Sequence, residues 1–338
     1  MAGTLFSTPH NAPLTVLLPA AIERSSRTDV ADALRSRDFV SKLLLSCGHI
    51  PATFDVTLDD MRTPGTVAGV IGSSGAHCVF NIFEGFSDYS EAEHEFRSLV
   101  EELRIPCTGN PSGVLRTCLS KDECARVLKG AGIPVPEGLA IFPGFDPSLL
   151  AQLRLPLFVK PLMEDGSVGI DSSSLVTDDA DLMDVVSAKL SLFPKGLRVE
   201  EFIPGMEYSV SCVGNGPYRV IGVSCIDYAN TTGANYLDYD SKWNPRSPLF
   251  SLIPQRARGE VAERVALLAD AAGHALECRG YFRVDVRERN GELYIIDVNP
   301  NPDASPDGGF FRQCRESGLP DEQVVTTLIE LALEGGIQ

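Results

Sequence analysis

Polar and apolar residues alternate along residues 280–302, which read GYFRVDVRERNGELYIIDVNPNP. Successive side chains of a strand point to opposite faces, so Arg283 shares a face with Asp285, and Asp297 shares one with Asn299. The Asn-Gly pair between the two apolar runs is typical of a hairpin turn. The segment therefore predicts two paired strands whose polar residues stand at fixed positions, and the fold must accommodate that hairpin.

The length of the hairpin loop decides whether the four polar residues meet. A two-residue loop would set Asp285 opposite Ile296 and turn Asp297 to the other face. A three-residue loop of residues 289–291, with Gly291 in the left-handed conformation, brings all four polar residues to one face. We therefore predict the three-residue loop. It also places four apolar side chains together on the buried face: Val284, Val286, Ile296 and Val298.

The polar face of this hairpin is suited to a divalent cation that carries a polyphosphate. Two carboxylates and an amide oxygen, from Asp285, Asp297 and Asn299, are hard ligands of the kind that Mg²⁺ prefers. The Arg283 guanidinium is a fixed fork for phosphate oxygens. The alternative interpretation is a solvated hairpin with ordinary surface charges.

Composition excludes several classes of function. A length of 338 residues predicts about two or three domains, and a net charge of −17 argues against a general binder of nucleic acid or anionic membranes. Nine cysteines without a CxxC pair indicate buried thiols in a reducing cytosol. Because no signal peptide and no transmembrane stretch is evident, we expect a soluble, cytoplasmic protein.

The first part of the chain has the pattern of alternating strands and helices that gives a parallel sheet. The predicted strands are residues 15–21, 67–72 and 78–83, and the predicted helices are 28–47 and 90–104. The turn-rich segment at 106–113, PCTGNPSG, marks the end of this region.

The second part begins with a helix and continues with further strands. The predicted helices are 121–132 and 261–276, and the predicted strands are 157–161, 198–203, 207–214 and 219–226. Residues 227–255 lack periodicity, which predicts a long loop of the kind that is usually functional or disordered.

Four further segments contain residues that could carry chemistry. Lys160 ends a strand and precedes the Gly/Ser-containing loop 163–169, and a lysine beside such a loop can hold a phosphate. The other three segments contain Lys121, the pair Glu200 and Glu207, and Lys242. Each has an ordinary alternative, namely a common turn or solvated surface residues.

Taken in order, these segments closely resemble the ATP-grasp ligases and, among them, the D-alanine–D-alanine ligase family. The segments are Lys121, VKP with Lys160, EDGSVG, EEFIPGMEYSV, DYDSKW, and FRVDV with IIDVNPNP. The resemblance covers residues 78–319, and more loosely the chain from residue 15. It implies an α/β chain of ATP-grasp fold, in which a Rossmann-like parallel-sheet domain precedes two α+β subdomains that sandwich ATP. The implied boundaries are 1–13 (flexible), 14–113, 114–197 and 198–338.

The resemblance also implies a role for each matching residue in holding ATP and metal. The phosphate-contacting set is Lys121, Lys160, the loop from Glu164 to Gly169 with Ser167, and Lys242 at the γ-phosphate. The adenine-facing set is Glu200, Glu201 and Ile203, and Glu207 is the ribose carboxylate. The metal ligands are Asp285, Asp297 and Asn299, and Arg283 stabilises the transferred phosphoryl group.

The implied chemistry is carboxylate activation. ATP phosphorylates a substrate carboxylate, and an amine attacks the acyl phosphate to give an amide, ADP and phosphate. The implied cofactors are ATP and two Mg²⁺ ions, with Mn²⁺ as the alternative metal. The implied partners are a small-molecule carboxylate and a small-molecule amine, and relatives are commonly homodimers.

The departures from the family pattern fall on the substrate-facing positions. Glu23 stands near the family's ammonium-binding glutamate, and Glu84 replaces a histidine. Asp303 replaces a glycine, and Gly308 and Gly309 replace the Ser-Leu pair that holds the second D-alanine. We therefore predict an acid–amine ligase for which D-alanine is a poor second substrate. Three alternatives remain open: a D-alanine–D-alanine ligase, an enzyme with a non-amine acceptor, and a non-catalytic ATP-binding protein.

Overall fold

The structure, a computed structural model, describes residues 12–23, 28–228, 235–247, 249–250 and 252–335. Most of the predicted flexible segment 1–13 lies outside the described residues. Within the described ranges, no helix combines the length and apolarity that a membrane crossing requires. All nine cysteines are free thiols, and all except Cys47 and Cys225 are buried, as predicted.

The first part of the chain forms the predicted parallel sheet, in the strand order β2-β1-β3. Its strands are β1 (Thr15–Ala21), β2 (Ile50–Val56) and β3 (Cys78–Val79). Its helices are α1 (Thr28–Ser46), α2 (Leu58–Met61), α3 (Pro64–Ser73) and α4 (Ala92–Glu102).

One element of this region was predicted wrongly and another was missed. Residues 67–72, predicted as a strand, lie inside α3. Val67 and Ile71, four residues apart, are buried while Val70 is exposed, which is a helical periodicity. Strand β2 was not predicted, because only Phe54 and Val56 of its seven residues are buried.

The central part of the chain forms a four-stranded antiparallel sheet in the order β4-β7-β5-β6. Its strands are β4 (Gly138–Ile141), β5 (Leu157–Pro161), β6 (Leu175–Val176) and β7 (Leu197–Glu201). The helices here are α5 (Ser112–Leu119), α6 (Lys121–Gly130) and α7 (Asp179–Leu192), with a 3₁₀ helix at Pro147–Gln152. Side chains of α7, such as Leu182 and Val186, pack with the sheet in one apolar cluster.

The last part forms a five-stranded antiparallel sheet in the order β10-β9-β8-β11-β12. Its strands are β8 (Glu207–Val213), β9 (Arg219–Ile226), β10 (Gln255–Arg256), β11 (Tyr281–Arg289) and β12 (Glu292–Asn299). Its helices are α8 (Tyr239–Trp243), α9 (Glu260–Leu276), α10 (Gly309–Glu316) and α11 (Asp321–Gly335). The long loop predicted at 227–255 thus contains the short helix α8. Phe310 and Phe311 of α10 are fully buried against the first sheet.

The hairpin of β11 and β12 differs from the prediction in its turn but not in its polar face. Arg289 pairs with Glu292, which leaves a two-residue turn of Asn290 and Gly291, both with positive φ. The predicted three-residue loop was therefore wrong. Asp285 nevertheless lies opposite Asp297, because the register shifts by one residue next to Val286. The residue absorbed by this bulge is Ile296.

The same bulge changes which isoleucine enters the core. Ile295, with 2% of its surface exposed, packs under the sheet with Val284, Val286 and Val298. Ile296, which we had assigned to that face, is only half-buried and lines the large cavity of the protein. A bulge turns one extra residue out of the alternating pattern, and simple strand alternation cannot represent it.

A buried polar network joins the first part of the chain to the end of the hairpin. Asn110 donates through Nδ2 to the carbonyls of Tyr281 (2.9 Å) and Pro300 (2.7 Å). Asn301 donates through Nδ2 to Glu93 Oε1 at 2.9 Å and through its backbone N–H to Asn299 Oδ1 at 2.9 Å. Burial raises the pKa of Glu93 to about 8, and the nearby Asp165 adds to this effect.

Replacing Gly291 by alanine tests the turn. Gly291 has φ +84 and an added Cβ would meet no atom within 4 Å, so the cost is backbone strain alone. We expect Gly291→Ala to lower the free energy of unfolding by about 1 kcal/mol. The control is Gly69→Ala in α3, also without neighbours, which should raise it by roughly 0.5–1 kcal/mol. Equal effects of the two substitutions in urea denaturation would contradict the turn assignment.

The raised pKa of Glu93 predicts a pH-dependent loss of stability. In the unfolded chain this carboxyl ionises near its ordinary pKa of 4.5, whereas the folded protein holds the proton until about pH 8. Stability from this group is complete below pH 4.5 and falls as the pH rises towards 8. Relative to wild type, Glu93→Gln should therefore gain free energy of unfolding between pH 5 and 8. A difference that stays constant across this range would show that Glu93 is ionised in the folded protein.

Candidate active site

All the side chains predicted for the site line one cavity of about 880 Å³. The first part of the chain contributes Glu23 and Glu84, and α6 contributes Lys121. The four-stranded sheet and its loop contribute Lys160, Glu164, Ser167, Glu200, Glu201 and Ile203. The five-stranded sheet and the segments after it contribute Glu207, Lys242, Arg283, Asp285, Asp297, Asn299, Asp303, Gly308 and Gly309.

The polar face of the hairpin lies on this cavity. Arg283 binds Asp285 with two hydrogen bonds of 3.0 and 2.9 Å, and Ser209 donates to the same carboxylate at 2.8 Å. Although burial opposes it, Arg283 lowers the pKa of Asp285, so this carboxylate is ionised. The carboxylate of Asp297 makes no hydrogen bond or ion pair with any described residue. This half-buried carboxylate, together with Asp285 and the amide oxygen of Asn299, forms a set of oxygen ligands that fits a divalent cation.

Lys160 is held at the cavity wall by two contacts. Its ammonium lies 2.6 Å from Glu200 Oε1 and donates to the carbonyl of Ile296, the bulge residue, at 3.1 Å. Arg198 is buried on β7, the strand that also carries Glu200. It lies 3.2 Å from Glu200 Oε2 and also pairs with Asp122. Sequence reasoning missed Arg198, although its two-residue spacing from Glu200 puts both on one face of β7. Glu200 is therefore neutralised by two cations at the base of the site.

Two loops meet over the cavity. Trp243 donates from its indole nitrogen to the carbonyl of Gly166 at 3.1 Å, and Ser167 Oγ donates to the carbonyl of Leu237 at 3.4 Å. Lys121 pairs with Asp165 at 3.3 Å and donates to the carbonyl of Glu164. The loop of residues 163–169 and the segment around α8 thus contact each other directly.

The two lysines beside these loops carry opposite pKa shifts. Burial acts to lower the pKa of Lys121, but the carboxylates of Asp165 and Asp297 outweigh it and raise the pKa. Lys242 projects into the open cavity without a hydrogen bond to any described residue. Burial and the nearby Arg283 guanidinium lower its pKa. Its ammonium has no fixed anionic partner among the described residues.

The far end of the cavity combines carboxylates with an apolar wall. Glu207 accepts from the Tyr228 hydroxyl at 3.0 Å and lies 3.6 Å from Arg287. Burial raises the pKa of Glu207, although Arg287 opposes the shift. The Arg287 guanidinium also stacks on Phe202 at 4.8 Å. Arg287 was missed in the sequence, yet it continues the two-residue series of Arg283 and Asp285 along β11.

The substrate-facing carboxylates of the prediction are engaged with neighbours. Glu23 accepts from the backbone N–H and hydroxyl of Ser87 at 2.9 and 2.7 Å. Asp303 accepts from the N–H of Ser305 at 2.7 Å, from its hydroxyl at 2.6 Å, and from Ser36 Oγ at 3.1 Å. Both carboxylates are therefore already hydrogen-bonded by neighbouring residues of the protein.

The glycine at position 308 follows from the aspartate at 303. A Cβ on Gly308 would lie 2.7 Å from Asp303 Oδ2 and 2.9 Å from its carbonyl oxygen. Contacts this short are not tolerated, so the segment that carries Asp303 excludes a side chain at 308. Gly309 begins α10, and a Cβ there would lie 3.9 Å from Arg312 Nη2.

Comparison with known proteins identifies the family to which this sequence is similar. The family model described as "D-ala D-ala ligase C-terminus" matches residues 128–330. A D-alanine–D-alanine ligase of Desulforudis audaxviator is 33% identical over 89% of this chain and 94% of its own. The corresponding ligase of Carboxydothermus hydrogenoformans is 28% identical over 92% of this chain and 96% of its own.

Solved structures agree on the fold. A D-alanine–D-alanine ligase from Bacillus anthracis superposes with a TM-score of 0.76 at 19% identity, covering 96% of this chain and 99% of its own. The same enzyme complexed with ATP gives a TM-score of 0.75 over 96% of this chain and 98% of its own, at 18% identity. The resemblance found in the motifs is confirmed along nearly the whole chain: the protein belongs to the D-alanine–D-alanine ligase family and is an ATP-dependent, amide-forming ligase of the ATP-grasp fold.

Proposed function

We propose that this protein joins the carboxylate of one small molecule to the amine of another through an acyl phosphate, and that Mg²⁺ is its metal. The observation that supports this most strongly is the convergence of Asp285, Asp297 and Asn299 beside Arg283 on one cavity. Oxygen donors next to a guanidinium are suited to metal-bound phosphates. Relatives that cover most of the chain are named as ligases.

The residues at the phosphate end of the cavity divide the work of binding metal and phosphate in this proposal. Bound Mg²⁺ would neutralise charge that develops between the phosphates, and Asp285, Asp297 and Asn299 would hold it. Lys121, Lys160, Ser167 and Lys242 would bind phosphate oxygens, and Arg283 would stabilise both the transferred phosphoryl group and the oxyanion of the tetrahedral intermediate. Lys242 fits the γ-phosphate role because its ammonium has no carboxylate within ion-pair distance in the described chain.

At the nucleoside end of the cavity, two further groups of residues would bind the adenine and the ribose. Glu200, Glu201 and Ile203 would face the adenine, in part through main-chain atoms, and Glu207 would accept from the ribose hydroxyls. Ile203 is almost fully buried and Glu201 pairs with Arg289 at 3.3 Å, so this wall is held in place before a nucleotide arrives.

The loops that meet over the cavity have a chemical purpose in this scheme. An acyl phosphate is hydrolysed if water reaches it, so a ligase of this type must cover the intermediate. The Trp243–Gly166 contact supports such a cover, because it joins two loops that line the same cavity as Lys121, Lys160 and Lys242.

A second candidate is a D-alanine–D-alanine ligase in the strict sense. It is favoured by the names of the relatives that match the chain over most of its length. The test that separates the two is an ADP-release screen of amino-acid pairs with identification of each product by mass.

Removing one carboxylate charge from the metal set should abolish most of the activity. We expect Asp297→Asn to lower kcat by roughly a hundredfold or more, which is typical of losing a central electrostatic group. The melting temperature should change little, because the Asp297 carboxylate makes no hydrogen bond or close ion pair with the described residues. The control is Asp59→Asn, an exposed residue far along the chain. Near-normal turnover of Asp297→Asn at saturating Mg²⁺ would exclude the metal assignment.

D-alanine should be a poor second substrate. Gly308 offers no hydroxyl to a substrate carboxylate, and a lost hydrogen bond to a charged group costs about 1.5–3 kcal/mol. We expect an amine without an adjacent carboxylate, or a bulkier amine, to compete better at equal concentration, with products identified by mass. If D-alanyl-D-alanine dominates the products, the second candidate function is correct.

A further inference from the structure

Arg312 is a cation on the cavity wall that neither the metal set nor the nucleotide roles employ. It lies in the first turns of α10, four residues after Gly308, and its side chain lines the cavity. The side chain is 29% exposed. Its Nε is buried and has no hydrogen-bond acceptor within the described part of the chain.

The other cavity-lining arginines are engaged. Arg283 binds Asp285 in a bidentate pair, and Arg35 pairs with Asp307 at 2.8 Å. Arg287 donates to the carbonyls of Gly205 (3.0 Å) and Asn235 (2.7 Å). Arg312 by contrast has only Glu316, at 3.9 Å from Nε, which is too far for a hydrogen bond. Its guanidinium is therefore the least satisfied of the four.

Burial and charge make this an unfavourable place for an isolated guanidinium. Burial lowers the pKa of Arg312, Glu316 opposes this shift, and the Arg283 guanidinium in the same cavity adds to it. A buried polar group without a partner costs free energy, which an incoming anion would recover. Arg312 thus has N–H donors without an acceptor among the described residues, and its positive charge favours binding of a carboxylate.

The neighbouring glycine leaves room for such an anion. A Cβ on Gly309 would meet one atom within 4 Å, the Arg312 Nη2 at 3.9 Å. Because Gly309 has no side chain, the guanidinium is not screened from the cavity at this point. Gly308 offers no hydroxyl donor where the family pattern has a serine. One helical turn later, the Arg312 guanidinium faces the cavity without a side chain at Gly309 to cover it.

We propose that Arg312 is a specificity-determining residue that binds a carboxylate of the acceptor, and that the acceptor is an acidic amine larger than alanine. This rests on the proposed ligase function. Arginine suits the role because its planar fork binds a carboxylate with two parallel hydrogen bonds. The absence of a side chain at Gly309 would let a larger acceptor approach this guanidinium.

The experiment uses the full-length protein with ATP, Mg²⁺ and a panel of carboxylate donors. Hydroxylamine first serves as a small neutral acceptor that traps any acyl phosphate as a hydroxamate. With the best donor, DL-glutamate, DL-glutamine, DL-isoglutamine and D-alanine are then compared by kcat/KM. Glutamine lacks the side-chain carboxylate and isoglutamine lacks the α-carboxylate, so the pair shows which carboxylate Arg312 binds.

We expect glutamate to exceed one of its two amides by about tenfold or more, and to exceed D-alanine. In Arg312→Gln the preference for glutamate over that amide should fall to near unity, and Arg312→Lys should retain part of it. The matched control is Arg315→Gln on the same helix, because Arg315 pairs with Asp321 at 2.8 Å and does not line the cavity. This control should keep the wild-type preference.

Two results would overturn the inference while leaving the ligase function intact. One is hydroxamate formation by the wild-type protein without any preference for glutamate over its amides. The other is a preference that survives in Arg312→Gln. If no donor gives a hydroxamate with the wild-type protein, the proposed function fails, and this inference fails with it.

Discussion

The pairing of Asp285 with Asp297 is the constraint on which the rest of the site depends. Side chains alternate strictly along a strand, so a slip of one residue would turn one carboxylate into the apolar core. The two-residue turn of the hairpin would cause that slip, and the bulge at Ile296 corrects it. The carbonyl of the same bulge residue accepts from Lys160. One local irregularity thus sets the polar face of the hairpin and anchors a cation from another sheet.

The chain has a net charge of −17 and must still present cations to an anionic nucleotide. It gathers them on one cavity and ties most of them to carboxylates, as in the pairs of Lys160 with Glu200 and Arg283 with Asp285. Paired charges are less costly to bury than isolated ones and are held in fixed positions. Lys242 and Arg312 are the exceptions within the described residues, and both are placed where a substrate or phosphate could supply the missing anion.

Sequence patterns predicted the elements whose periodicity is strong and failed where local signals conflict. Helix α9 and the two strands of the hairpin lie where their apolar spacing placed them. Residues 67–72 form a helix because Pro64 can begin one, and Val67 and Ile71 share a face. The turn at Asn290 was wrongly lengthened, because a bulge further along the strand gives the same side-chain facing as a longer loop.

The sequence by itself determined which residue types stand at the site and in what order, because alternation along β11 and β12 and the ordered motifs are properties of neighbouring residues. Only the tertiary structure decided which charges are already satisfied. Arg198 holds Glu200 in place, Asp303 is bound by Ser305 and Ser36, and Arg312 has no close partner among the described residues. These relations join residues from different elements of the fold. Whether a charge is free to bind a substrate depends on such contacts, which no spacing along the chain can specify.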